Sequence, residues 1–119
     1  SMIVAVDWTG AIKAWKQDGQ EILSLKGHDD RIYDIRFSPN RQMFATASKD
    51  RTVKLWNLNG KLLNTLKGHS DQVFNVDFSA DGQTILTSSR DGTIKLWNLA
   101  GEVLKTIDVS SIYPGQVYS

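Results

Sequence analysis

The sequence predicts an all-β chain built from repeated units of four short antiparallel strands. Three observations carry that reading. Residues 27–67 recur as residues 68–108, with 18 identities in 41 aligned positions. Inside the repeat the apolar period is two, as in Thr52-Val53-Lys54-Leu55-Trp56, and no segment shows the 3.6-residue stripe of a helix. Runs of about five residues end in turn-forming clusters such as Ser38-Pro39-Asn40, Ala80-Asp81-Gly82, Asn59-Gly60 and Ala100-Gly101.

Each element follows from these signals. Strand a occupies 32–37 and 73–78, and strand b occupies 43–48 and 84–89. Strand c occupies 52–57 and 93–98, and strand d occupies 61–66 and 102–107. Strand a carries apolar residues at 32, 35 and 37, which breaks strict alternation. A β-bulge between 32 and 35 restores one continuous buried face. The start of the chain fits the same register: Ile3 matches Phe44, Lys13 matches Lys54, Trp15 matches Trp56 and Gly19 matches Gly60. Segments 3–6, 11–16 and 20–25 therefore read as strands b, c and d of a unit without its strand a. Past the last repeat, Gln116-Val117-Tyr118-Ser119 is similar to Gln72-Val73-Phe74-Asn75, the opening of a strand a. The expected divisions are 2–26 (strands b, c and d of a split unit), 27–67 and 68–108 (full units), and 109–119 (a partial strand a). Ser1 reads as a residue left by cloning, with Met2 as the native start.

Composition narrows the function classes. Fourteen Lys and Arg against thirteen Asp and Glu give a net charge of +1, which supplies no bulk attraction to nucleic acid or an anionic membrane. The chain has no cysteine, so disulfides, thiolate chemistry and Cys-type metal sites are excluded. That is compatible with a reducing compartment, and a cytoplasmic location is the expectation. No apolar run reaches the ~18 residues of a membrane span, and no signal-peptide pattern opens the chain.

The combination of Gly27-His28, Phe37-Ser38-Pro39, a Ser-x-Asp-x-Thr pattern at 48–52 and Leu55-Trp56-Asn57, which recurs 41 residues on with Ala80 in place of Pro39, resembles the WD-repeat β-propeller family. The strand-c dipeptide departs from the family pattern, being Trp-Asn at 56–57 and 97–98 and Trp-Lys at 15–16. The resemblance implies propeller blades of four strands, and a hydrogen-bonded tetrad inside each blade. By position the members are His28, Thr46, Asp50 and Trp56, then His69, Thr87, Asp91 and Trp97. The first unit has Ala5, Thr9 and Trp15 at the matching places and is expected to lack the network.

A His, Thr and Asp set also invites a hydrolase reading. Its recurrence at a fixed step inside strands favours a fastening over a nucleophile, and the two histidines have no ligands spaced for a metal. The expectation is no enzyme, no cofactor and no metal. The resemblance implies an interaction scaffold that binds protein or peptide on the face carrying the d–a and b–c loops. The candidate binding residues there are Trp8, Arg31, Tyr33, Lys49, Gln72, Phe74, Arg90 and Tyr118. Trp8 breaks the repeat, falling where Lys49 and Arg90 occur. An anionic ligand or nucleic acid held by Arg31, Lys49 and Arg90 is the alternative.

Each sheet is apolar on both sides, and propellers close with about 4–8 blades. Three units leave two apolar faces open, which predicts a homo-oligomeric ring of six blades from two chains, ahead of nine from three. A truncated or engineered fragment of a longer propeller, with no ligand of its own, is the competing account.

Overall fold

A computed structural model describes residues 2–110. Eleven strands run in order: β1 (Met2–Val6), β2 (Ala11–Lys16), β3 (Glu21–Lys26), β4 (Ile32–Phe37), β5 (Met43–Ser48), β6 (Thr52–Asn57), β7 (Leu62–Lys67), β8 (Val73–Phe78), β9 (Thr84–Ser89), β10 (Thr93–Asn98) and β11 (Val103–Asp108). They form three antiparallel sheets. Sheet 1 is β1-β2-β3, sheet 2 is β4-β5-β6-β7 and sheet 3 is β8-β9-β10-β11, each in chain order. The described residues contain no helix. The expected partial strand at 116–119, with Tyr118, lies outside them.

Strand d departs from the sequence reading in all three sheets. Strand d begins at Leu62 and Val103, one residue later than expected, and at Glu21 in the first sheet. The reason is local. The Asn57 side chain accepts the Lys61 N–H at 2.9 Å, and the Asn57 N–H donates to the Lys61 carbonyl at 3.0 Å. Residue 61 is thereby held in the c–d turn. Asn98 does the same to Glu102, at 3.0 Å for each bond.

The pairing of strand a has the expected irregularity. Ile32 pairs with Ser48 and Asp34 with Ala47, so Tyr33 is the extra residue of a bulge. Val73 pairs with Ser89 and Asn75 with Ser88, and Phe74 is extra in turn. Removing one residue from the ladder shifts the alternation, which lets Ile32 and Ile35 serve one side.

Two cores separate the three sheets. Ile12 of sheet 1 packs with Phe44 and Trp56 of sheet 2, flanked by Val4, Val6 and Leu25. Ala45, Ala47, Val53, Leu55 and Leu66 on the other side of sheet 2 pack with Val73, Val76, Ile85 and Trp97 of sheet 3. Sheet 2 is covered on both sides, and the last five residues of β5 are buried without alternation. The small side chains Ala45 and Ala47 fit the space between two sheets. Asp34 couples sheets 2 and 3 directly, accepting the Val76 N–H at 3.1 Å.

Candidate functional site

The histidine of each full repeat sits at the junction between strand d of one sheet and strand a of the next. Glycine precedes it for a steric reason. A Cβ at Gly27 would strike the Ile12 side chain and come within 3.1 Å of the Trp56 ring, and one at Gly68 would lie 2.9 Å from the Trp97 ring. The loop must pass that close to the indole for the imidazole to reach β5 and β9.

His28 Nδ1 lies 2.8 Å from Asp50 Oδ2, and His28 Nε2 lies 2.6 Å from Thr46 Oγ1. The Trp56 indole N–H donates to the same Thr46 oxygen at 3.0 Å. The second set has the same form: His69 Nδ1 to Asp91 at 2.8 Å, Nε2 to Thr87 at 2.7 Å, and Trp97 N–H to Thr87 at 2.9 Å. One directional assignment satisfies every atom. Neutral imidazole donates its Nδ1–H to the carboxylate and accepts the threonine hydroxyl at Nε2, and the hydroxyl oxygen accepts the indole N–H.

The electrostatics agree with that assignment. Burial holds the His69 imidazole below its ordinary value of 6.5, outweighing the opposing pull of Asp91. Burial pushes the Asp91 carboxyl up, yet hydrogen bonds from Thr93 and His69 prevail and leave it below the usual carboxylate value. Asp50 is likewise raised by burial and lowered further by the bonds from His28 and Thr52. In the second set, neutral His69 beside ionised Asp91 is the resulting state at neutral pH.

Chemically this arrangement binds itself and little else. Thr46 is 0% exposed and Thr87 is 1% exposed. Hydroxyls at that depth reach no substrate. The described residues contain no cluster of three His, Asp or Glu able to hold a metal ion. In sheet 1, Ala5 stands where Thr46 and Thr87 stand, and Thr9, in the place of Asp50, bonds Asp7 at 2.7 Å instead.

The network is larger than a tetrad. Thr52 and Thr93 donate to the Asp50 and Asp91 carboxylates at 2.6 and 2.7 Å. Ser48 donates to the Arg31 carbonyl at 2.8 Å, and Ser89 to the Gln72 carbonyl at 2.7 Å. Lys54 Nζ donates to the Gly27 carbonyl at 2.8 Å. The sequence reading missed these groups. Ser48, Thr52 and Lys54 each recur identically 41 residues on, so the signal for them was present.

The clamped loops set up a second feature at the same end of the sheets. The Lys49 and Arg90 amides also donate to the Arg31 and Gln72 carbonyls, at 2.8 and 2.9 Å. Each b–c turn is thus locked to a d–a loop. From this frame a row of side chains spans all three sheets. The Arg31 guanidinium lies 4.0 Å above the Trp8 ring centroid and 4.9 Å from that of Tyr33. The Tyr33 hydroxyl donates to Gln72 Oε1 at 2.7 Å, and the Tyr33 and Phe74 rings meet edge to face at 5.2 Å. The two bulges present those rings at this loop-bearing end of the sheets, the mouth of the three-sheet stack. Trp8 remains 73% exposed, and Lys49 and Arg90 stand exposed on either flank. Of the eight candidate binding residues, five form this row, two flank it, and Tyr118 lies outside the described residues.

A family model described as "WD domain, G-beta repeat" matches residues 19–57 and again residues 60–98. Among curated proteins, the ubiquitin homeostasis protein lub1 of Schizosaccharomyces pombe is 36% identical over 44 residues. That match covers 37% of this chain and 6% of the relative.

Proposed function

This chain belongs to the WD40 family of WD-domain, G-beta repeat proteins, and from that premise we propose that it is a non-enzymatic scaffold which captures a protein or peptide on its Trp8–Arg31–Tyr33–Phe74 face. WD40 repeats mediate protein interactions, and the family is generally without catalytic activity. The observation that carries the choice of face is the stacked row itself. An arginine held between two aromatic rings is a pre-ordered binding surface, and Trp, Tyr and Arg are the side chains that dominate interface energy. Gln72, Lys49 and Arg90 supply the polar rim.

The test is capture of a partner by the wild-type chain against an Arg31→Ala, Arg90→Ala double variant. The variant should lose capture with its melting temperature unchanged. A lowered melting temperature with capture intact would assign these residues to the fold. Binding that collapses with added salt would point to an anionic ligand gathered by Arg31, Lys49 and Arg90.

The chain also assembles with itself in this proposal. Three sheets fall short of the ~4–8 blades of a closed propeller. Two chains supply six blades and are favoured over three chains with nine. Light scattering decides the matter, since a folded, monodisperse monomer is incompatible with a ring.

A further inference from the structure

We propose that two copies meet head to tail, with the outer face of sheet 3 packing on the outer face of the next chain's sheet 1, and with Lys105 and Ile107 closing over that chain's Gly19. This rests on the self-assembly reading and specifies its interface.

The chain contains the template twice. Ile12 of sheet 1 packs with Phe44 and Trp56 of sheet 2, and Val53 of sheet 2, 41 residues on, packs in one core with Ile85 and Trp97 of sheet 3. One more step gives Ile94 on the donor side, and the receiving positions that remain open are Ile3 and Trp15. These open positions are apolar like the closed ones but less covered, with Trp15 and Ile94 half-buried. Ile3 is 55% exposed where Phe44 and Ile85 are 0%. On the donor side Ile107 is 44% exposed where its counterpart Leu66 is 1%.

The glycines report the same vacancy independently. Gly60 and Gly101, at φ 83° and 90°, lie in the c–d turns, and a preceding sheet fills the space beside each. A Cβ at Gly60 would meet Leu23 and Leu25, and one at Gly101 would meet Asn64 and Leu66. Gly19 has the same conformation, φ 91°, and nothing within 4 Å. The 41-residue step from Asn64 and Leu66 leads to Lys105 and Ile107. Polar chemistry translates as well. Asn64 Nδ2 donates to the Leu99 carbonyl at 3.2 Å across the second interface. In the third, Lys105 takes the place of Asn64 and Gln17 takes the place of Leu99, so an ammonium donates to the Gln17 carbonyl. A heterologous contact of this kind generates a ring when its rotation closes.

The chain has no native cysteine, which makes cross-linking clean. Gly19→Cys and Lys105→Cys, placed on separate chains and mixed under oxidising conditions, should give a covalent pair that neither gives alone. Gln17→Cys replaces Gly19→Cys if that variant folds poorly. In parallel, Ile3→Lys and Ile94→Asp should each reduce the assembly to the 13.3 kDa single chain. Mixing the two should restore the wild-type mass, because the altered faces then meet as an ion pair and the unaltered faces meet as before. A wild-type monomer overturns both this packing and the self-assembly reading. A wild-type multimer without the cross-link, indifferent to the charge variants, overturns this packing alone.

Discussion

Thr87→Val removes one oxygen from the centre of the second network and tests whether that network holds the fold. Valine has nearly the shape of threonine, so no cavity opens and the cost is almost purely polar. Two groups lose their partner: His69 Nε2, now 2.7 Å from the hydroxyl, and the Trp97 indole N–H, now 2.9 Å from it. Thr87, His69 and Trp97 are all buried, so water replaces neither bond. An orphaned buried polar group costs about 1–3 kcal/mol, which gives about 2–6 kcal/mol for the pair. That is a large share of the roughly 5–15 kcal/mol that holds a domain folded. Urea unfolding followed by tryptophan fluorescence reads it directly. With a slope of about 1–3 kcal/mol per molar urea, a loss near 3 kcal/mol moves the midpoint down by roughly 1–3 M. Wild type and variant are compared at one protein concentration, because assembly contributes to stability. Thr87→Ser keeps the oxygen and must lie well above Thr87→Val. A valine variant within ~0.5 kcal/mol of wild type would refute the reasoning, since surface changes alone produce shifts of that size.

Arg51→Gly should stabilise the chain by about 0.5–1 kcal/mol, because Arg51 is held in the left-handed region where only glycine is unstrained. Its φ is 78°, while the matching residues of the other sheets are Gly10 at 87° and Gly92 at 83°; an unchanged or lower urea midpoint would count against this. Stability should fall as pH drops from 7 to 5: His69 has a folded value depressed below 6.5, so the unfolded chain takes the proton first, and the loss begins near 6.5. Asp50 and Asp91, depressed below 3.8, add a second loss on further acidification, and a midpoint that rises between pH 7 and 5 would contradict the neutral-imidazole assignment. Gly27→Ala should cost about 1–3 kcal/mol in the same assay, because its Cβ would overlap Ile12 where the core has no slack.

The sheets were legible because turn residues punctuate the chain at short intervals and the pattern repeats. Gly60, Gly82, Gly92 and Gly101 all adopt the positive φ that such turns demand. The repeat also marked out His, Thr, Asp and Trp as a set, since identity at matching positions can be seen without geometry. It marked Ser48 and Ser89 equally, but hydroxyls in strands are common and nothing in the sequence says which carbonyl they meet. The start of strand d was misread by one residue because an Asn57 side chain competes with the ladder for the Lys61 N–H. The stack of Arg31 on Trp8 was not legible at all. It depends on a d–a loop folding back over a b–c turn 23 positions earlier, and only one of the junctions carries those residue types.

The repeat separates fastening from recognition. At the mouth, positions 8, 49 and 90 are Trp, Lys and Arg, positions 31 and 72 are Arg and Gln, and positions 33 and 74 are Tyr and Phe. Between them, Ser48 and Ser89, and Asp50 and Asp91, are identical. The physical reason lies in which atoms the frame uses. The serine hydroxyl and the following amide both grip the carbonyl of residue 31 or 72, and a carbonyl is the same whatever side chain it carries. Side chains at the mouth are thereby released from holding the loop. The exposed Trp8–Arg31 contact contributes only about 0.5–1 kcal/mol, small beside the orphaning cost inside a network. Exchanges at 8, 31, 49, 72 and 90 should therefore redirect binding at almost constant stability, whereas exchanges at 28, 46, 48 and 50 should lower stability before any effect on binding is read.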